Sequence, residues 1–303
     1  MIFDNLNIGV IHMKKYILDT DMGCDCDDIG ALAIMLNAVK KGEAELLCVT
    51  HAINNIHGLR FMENMIKRYE LDIPVYKCAV PGFMEEGHKN VYDFYVKPLT
   101  DDNTITDYKD SLKAMRRLLA ENESVTIITI GSFVNMEALL KSEPDEISDK
   151  NGTELVKEKV EAVYSMAGNF ANPNHGEFNV VCCLDGARYF AENCPVPVIY
   201  SGFEVGEKIL TGAHLESFPD DSYIKKGYFE YSKRTVYTRP SWDPTTVYQA
   251  LYPDNKLFKL SEGVSVLFDE KGITRASVGG KDRYMILDVS HEEAAEALNK
   301  HIY

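Results

Sequence analysis

Short apolar runs that read as buried strands alternate along this chain with segments whose apolar residues recur at helical spacing, and that alternation restricts it to an α/β fold. Tyr16–Thr20 reads as a strand, followed by Ile29, Leu32, Ala33 and Leu36 at the spacing of one helix face. Ala44–Thr50 is a second strand, Leu59–Tyr69 a helix, Ile73–Cys78 a short strand and Leu112–Leu119 a helix. "SVTIITIG" runs into "SFVNMEALL", "VEAVYSMAG" into a loop and "DGARYFAEN", and "VPVIYSG" into "FEVGEKIL". The pattern predicts an open, mostly parallel, doubly wound sheet with helices on both faces. Near the C-terminus "GVSVLFDEKGITRASVG" and "RYMILDV" predict a small antiparallel element, closed by a helix from His291 to Lys300. No linker or repeat divides the chain, so one domain over 1–303 is expected, with 1–13 as an extension ahead of the fold and Met13 a natural start.

The first strand and helix are joined by an unusual turn. Asp19, Asp21, Asp25, Asp27 and Asp28 fall within ten residues of "YILDTDMGCDCDDIGALAIML". Carboxylates gathered at a strand end repel one another unless a cation or hydrogen bonds balance them. One or two would suit a helix N-terminus, where aspartate caps the first turn and meets the helix dipole, but five exceed that need. Oxygen donors without histidine or cysteine favour a hard ion, Ca²⁺ or Mg²⁺, over zinc. The loop lacks the glycine and distal glutamate of an EF-hand.

Composition narrows the partners. The net charge of −15 disfavours nucleic acid, and Arg116-Arg117 reads as a solvated helix face. The seven cysteines form neither a disulfide framework nor a zinc ribbon and are expected to be reduced, mostly buried thiols. The opening residues have no basic segment and apolar core of a signal peptide, and no run reaches a membrane span, so a cytoplasmic protein with no membrane partner is expected.

Ligands of open α/β sheets collect at the carboxyl ends of the strands. Four segments there carry the chemistry: the acidic loop, "THAINN", "MAGNFANPNHGEFN" and "RPSWDPTTVYQAL". The loop from His88 to Asn103 is long, aromatic and charged, a type more often functional than idle.

"DTDMGCDCDDIGAL" resembles the N-terminal aspartate motif of the nucleoside hydrolases, the inosine-uridine preferring N-ribohydrolases, and the resemblance recurs in order at "GSFVN", "MAGN…EFN" and "SWDP". It implies a Ca²⁺ ion at the bottom of a ribose pocket. Asp21, Asp28 and Asp243 match the side-chain ligands, and Val134 the position whose backbone carbonyl completes the set. Asp27 matches the aspartate that holds the ribose 2′ and 3′ hydroxyls, with Asp25 competing because the loop is two residues longer than the family motif. Glu177 and Asn179 match the 5′-hydroxyl contacts. Met166, Asn169 or Asn172, and Asn55 match further sugar-contacting positions. The implied activity is hydrolysis of the N-glycosidic bond of a nucleoside or related riboside, with Asp21 as general base, in a homodimer or homotetramer serving nucleoside salvage.

One departure bears on the chemistry. Where the family has a histidine that protonates the leaving base, this chain has Trp242, its only tryptophan, which either stacks on the ligand or anchors the core. His51, His57, His88 and His175 are not assigned as the acid, and Tyr92, Tyr95 and Tyr231 are candidate base-side contacts. Two other readings stand beside this one. A Ca²⁺-stabilised sugar or nucleoside binder would have kept the pocket and lost turnover. A Mg²⁺-dependent phosphatase of the haloacid-dehalogenase-like class also begins with D-x-D after a strand, but requires a downstream lysine.

Overall fold

A computed structural model describes residues 13–85, 87–91, 93–100, 107–233, 235 and 237–303. The expected extension over 1–13 lies outside the described residues except for Met13, and so does Tyr92. Twelve strands occur among them: β1 Lys15–Thr20, β2 Glu45–His51, β3 Val75–Tyr76, β4 Val125–Thr129, β5 Val160–Met166, β6 Val198–Ser201, β7 Leu210–Thr211, β8 Arg239–Pro240, β9 Phe258–Leu260, β10 Val264–Phe268, β11 Thr274–Val278 and β12 Arg283–Leu287. Eight make one sheet in the order β3-β2-β1-β4-β5-β6-β12-β9, parallel throughout except for the antiparallel edge strand β9. The chain winds outward from β1 to β3, returns to β4 on the other side of β1, and winds outward again. The switch point therefore lies between β1 and β4, where a ligand crevice opens at the carboxyl ends of the strands.

The alternation of side chains along each strand feeds two separate cores. Tyr16, Leu18, Ile128 and Ile130 face a layer built from the helices Asp27–Lys40, Ile56–Arg68, Trp242–Leu251 and His291–Ile302. Ile17, Val125 and Ile127 face the opposite layer, built from Ser111–Glu121, Val134–Lys141, Gly152–Lys159 and Leu184–Asn193. Burial on both faces explains why β1 and β4 read as continuous apolar runs rather than alternating ones.

The C-terminal expectation needs one correction. β10 and β11 do form an antiparallel hairpin, but "RYMILDV" is not its third strand. It enters the main sheet as β12, parallel to β6, where the Asp282 carboxylate accepts the Val198 N–H at 3.1 Å and extends the strand junction. The closing helix runs to Ile302.

The polar centre of the sheet is Asp19. Its register partners across β1 are Thr50 on β2 and Thr129 on β4, and both hydroxyls donate to its carboxylate, at 2.6 and 3.3 Å. The Asn135 amide donates to the same carboxylate at 2.7 Å and to the His51 carbonyl at 2.9 Å, while its oxygen accepts from Ser111 Oγ and the Ala79 N–H, each at 2.9 Å. This network explains the first aspartate and the final asparagine of the two matching motifs as structural residues. Gly131 completes the turn: a Cβ there would lie 2.7 Å from the Asp21 nitrogen, so only glycine lets the segment after β4 approach the acidic loop so closely.

Removing Asn135 would leave a buried carboxylate and three buried backbone or hydroxyl groups short of partners. Asn135→Ala should lower the unfolding free energy by about 3 kcal/mol in denaturant titrations, whereas Asn193→Ala, at an exposed helix end, should change it by less than about 0.5 kcal/mol.

Candidate active site

At the switch point lies a cavity of about 230 Å³ lined by Asp21, Asp25, Asp27, Asp28 and Asp243 at one end and by aromatic rings at the other. β1 carries Asp21 to the carboxyl edge of the sheet, and the helix Asp27–Lys40 begins directly after the loop with Asp27 and Asp28 in its first turn. Neither serves as the N-cap. That position is Cys26, whose side chain makes no capping bond, so helix capping does not account for the two carboxylates. The helix Trp242–Leu251 brings Asp243 in from the opposite side, and its N–H donates to Asp27 Oδ2 at 3.1 Å.

The carboxylates are unequally satisfied. Thr20 Oγ1 donates to Asp28. Asp25 is well balanced: one oxygen accepts the Asp27 N–H at 3.1 Å, the other accepts from Arg239 Nη2 at 2.8 Å, and the Tyr95 hydroxyl donates to its carbonyl. Asp21 Oδ2 and Asp27 Oδ1 are buried with no hydrogen-bond partner. Asp21, Asp27, Asp28 and Asp243 are each 5% exposed or less.

Electrostatics follow from this. Burial pushes Asp21 up to about 7, and burial reinforced by neighbouring carboxylates holds Asp27, Asp28 and Asp243 well above the usual range. Asp25 moves the other way. Burial alone would raise it, but hydrogen bonding from Asp27 and the charge of Arg239 outweigh burial and hold it below the usual range. Four desolvated carboxylates with two orphaned oxygens, and no nitrogen or sulfur donor among them, fit a hard divalent cation. The most closely spaced trio is Asp25, Asp27 and Asp243, one oxygen of each lying within 4.8 Å of the others.

Beyond the carboxylates, Glu177 and Asn179 form one wall. Glu177 caps the short helix Phe178–Cys182, accepting the N–H groups of Asn179 at 2.9 Å and Val180 at 3.2 Å, and burial pushes it up to about 7. The Asn179 amide donates to the carbonyls of Ile130 at 3.3 Å and Met166 at 3.1 Å. Phe178, Phe203, Tyr231 and Trp242 form the aromatic end. Trp242 stands 5.3 Å from the Phe203 ring, and its Nε1 donates to the Phe203 carbonyl at 2.7 Å. Gly206 permits this seat, because a Cβ there would lie 2.5 Å from the Trp242 Cα. Trp242 is thus cavity wall and packing anchor together.

The structure brings Asp21, Asp27, Asp28, Asp243, Met166, Glu177, Asn179 and Trp242 to one cavity. It does not bring Val134, Asn55 or Asn172 there. Val134 opens the helix Val134–Lys141, and its side chain packs with Ala52 and Cys78; Ile130, four residues earlier, lines the cavity, and its carbonyl accepts the Asn179 amide. Asn55 caps the helix Ile56–Arg68, accepting from His57 and Gly58, although its amide nitrogen is buried without a partner. Asn172 is exposed, and the buried member of the pair is Asn169, whose N–H donates to Thr274 Oγ1 at 2.8 Å. Arg239 and Phe203 went unassigned from the sequence. Arg239 lies only three residues before Trp242 in a segment already marked by its position, and an arginine beside an acidic excess was the available signal. His51, His57, His88 and His175 are all absent from the cavity lining, and no lysine lines it.

An open α/β sheet with a cavity at its switch point that gathers five aspartates and is faced by aromatic rings defines an enzyme-like site for a hard cation and a small polar ligand. The chain belongs to the inosine-uridine preferring nucleoside hydrolase family, whose model matches residues 16–297, and is an N-ribohydrolase of that family. Its fold matches a purine-preferring ribonucleoside hydrolase from Gardnerella vaginalis with a TM-score of 0.73 at 17% identity, covering 95% of this chain and 96% of that one. A plant nucleoside hydrolase matches with a TM-score of 0.70 at 18% identity over 95% and 98% of the two chains. An inosine-uridine preferring nucleoside hydrolase from Bacillus anthracis matches with a TM-score of 0.70 at 16% identity over 96% and 99%. No curated protein matches this chain by sequence. Among the described residues no helix is long and apolar enough to cross a membrane.

The raised carboxylates carry a stability signature. A group whose pKa is higher folded than unfolded contributes stability below the unfolded value and loses it as pH rises through the folded value. In chelator, the melting temperature should therefore fall as pH rises from about 4, the unfolded value, toward the folded value near 7 of Asp21. Added Ca²⁺ should raise it more at pH 8 than at pH 5, and Asp21→Asn should flatten the slope. A chelated wild type whose melting temperature is level across that window would contradict the buried, cation-free carboxylates described above.

Proposed function

We propose that the protein hydrolyses the N-glycosidic bond of a ribonucleoside or related riboside, with Ca²⁺ held by Asp21, Asp28 and Asp243. The carrying observation is the pair of buried, unpartnered carboxylate oxygens, Asp21 Oδ2 and Asp27 Oδ1, in the acidic cavity. Asp25 belongs to the closest trio, but Arg239 already balances it, so the ion is assigned to the carboxylates without such a partner. When bound, the cation makes water more acidic and offsets the repulsion among the carboxylates.

The chain's own residues divide the remaining work. Asp21 is the general base: buried, with a free oxygen, and pushed up to about 7, it accepts a proton from water near neutral pH. Asp27, with Oδ2 fixed by the Asp243 N–H and Oδ1 free, is oriented to accept hydrogen bonds from the ribose 2′ and 3′ hydroxyls. Glu177 and Asn179, braced by backbone bonds at the far wall, are assigned to the 5′-hydroxyl. Phe178, Phe203, Tyr231 and Trp242 enclose the aglycone. Asn55 and Asn172, which do not line the cavity, are not retained as direct sugar contacts. Nucleoside salvage in the cytoplasm by a homo-oligomer is the setting this reading implies.

Two measurements test the assignment. Asp27→Ala should lower kcat/KM on a ribonucleoside by about 100-fold more than on its 2′-deoxy analogue, which lacks one of the hydroxyls the carboxylate holds; equal losses would remove Asp27 from the sugar site. Trp242 cannot protonate a leaving group: indole is not an acid at ordinary pH and its N–H is engaged by Phe203. p-Nitrophenyl riboside, whose leaving group needs little protonation, should accordingly be cleaved at least about 100-fold faster than inosine. Comparable rates on the two would mean that an efficient acid reaches the aglycone.

A further inference from the structure

We propose that Arg239 takes over at the leaving group as a fixed cation, its Nε–H meeting an oxygen or nitrogen that becomes negative, so that the enzyme prefers ribosides whose aglycone departs as an anion. The inference deepens the N-ribohydrolase reading and rests on it. Arg239 lines the cavity, and its guanidinium carbon lies 5.1 Å from the Tyr231 ring and 5.1 Å from the Trp242 ring. Its Nη2 edge is clamped by Asp25 at 2.8 Å. Its Nε is buried and has no hydrogen-bond partner among the described residues.

That arrangement is a built donor rather than a solvated charge. Two rings fix the plane, one carboxylate fixes the rotation, and one N–H is left unspent in a desolvated place, where a buried donor without an acceptor is costly. The Asp25 ion pair does not exhaust the group, because a guanidinium carries five donors in a planar fork. It cannot act as a proton donor, since it stays charged throughout the working pH range, and the surrounding carboxylates hold it more firmly so. What it can supply is a charge-assisted hydrogen bond, about twice as strong as a neutral one. Trp242, its stacking partner, stands where the resemblance expects the protonating histidine.

The step balances without an acid. Water oxygen bonds to C1′ as a water proton passes to Asp21. The bond from C1′ to the aglycone breaks, its electron pair leaves with the aglycone, and the resulting anion pairs with Arg239 until it takes a proton from solvent. Aglycones suited to this are aryloxides and pyrimidinediones, in which negative charge spreads onto oxygen. A pyridinium aglycone such as nicotinamide is the opposite case, because it leaves as a neutral molecule and its bound form is repelled by the guanidinium.

The test is a ratio: kcat/KM on p-nitrophenyl riboside divided by kcat/KM on nicotinamide riboside, for wild type, Arg239→Gln and Arg239→Lys. Arg239→Gln should reduce the ratio by about 100-fold, the size of effect seen when one preorganised donor to developing negative charge is removed. Arg239→Lys, which keeps the charge without the planar donor, should fall between. An unchanged ratio in Arg239→Gln, with both substrates losing equally, would overturn the proposal and leave Arg239 as a clamp on Asp25. Free p-nitrophenolate binding, measured by calorimetry, separates this inference from the hydrolase reading. If wild type cleaves neither riboside the hydrolase reading fails, and Arg239 is then judged on binding alone: a loss of about tenfold in Arg239→Gln supports it, and equal binding overturns it.

Discussion

The Asp19 carboxylate holds together the place where the fold and the site meet. It is fully buried in the middle of the sheet, and burial pushes it up to about 6 despite three hydrogen bonds from Thr50, Thr129 and Asn135. Those bonds reach β2, β4 and the first turn of the following helix, so one side chain ties together the three segments nearest the switch point. Asp21 is two residues further along the same strand direction, and Gly131 allows the neighbouring turn to close against it. The cavity inherits its geometry from a hydrogen-bonded centre that never touches ligand.

That rigidity has an electrostatic consequence. Asp21, Asp27, Asp28 and Asp243 cannot spread apart to relieve repulsion, because strand, helix start and facing helix are each held by packing. Burial first, and repulsion between neighbouring carboxylates second, favour the protonated forms and displace all four upward. A cation and protons therefore compete for the same oxygens. Asp25 escapes the competition because Arg239 reaches it from β8, and hydrogen bonding from Asp27 with the Arg239 charge holds it below the usual range despite its burial.

Much of this was legible in the sequence, and the parts that were not have physical reasons. The continuous apolar runs of β1 and β4 and the helical spacing after Asp28 announced the parallel sheet, because burial on both faces leaves little ambiguity of period. The convergence of Asp21, Asp28 and Asp243 came through a motif resemblance, since no local spacing relates residues more than two hundred positions apart. Val134 was matched through its backbone carbonyl from a turn motif; its side chain packs with Ala52 and Cys78 on the helix that begins there, and Ile130, just past the end of β4, is the residue of that turn that lines the cavity. "RYMILDV" read as part of a small antiparallel element with the segment before it, because short strands in succession usually pair with their neighbours. Its place beside β6 is a long-range parallel pairing, joined by the Val198 N–H donating to Asp282, that no local pattern carries.

The departures from the family motif form one connected set rather than separate losses. A loop longer by two residues introduces Asp25, and a further carboxylate beside Asp27 and Asp243 would be untenable unless a cation met it. Arg239 is that cation, but a guanidinium at the edge of a small cavity needs a surface to lie on, and Tyr231 and Trp242 provide the two faces. A histidine in place of Trp242 would narrow one of those faces and add a titratable group next to a fixed positive charge, where its protonated form is disfavoured. The acid expected at that position and the Asp25–Arg239 pair thus work against each other. Replacing Trp242 alone by histidine would restore the side chain of the family without restoring the surroundings that keep it protonated.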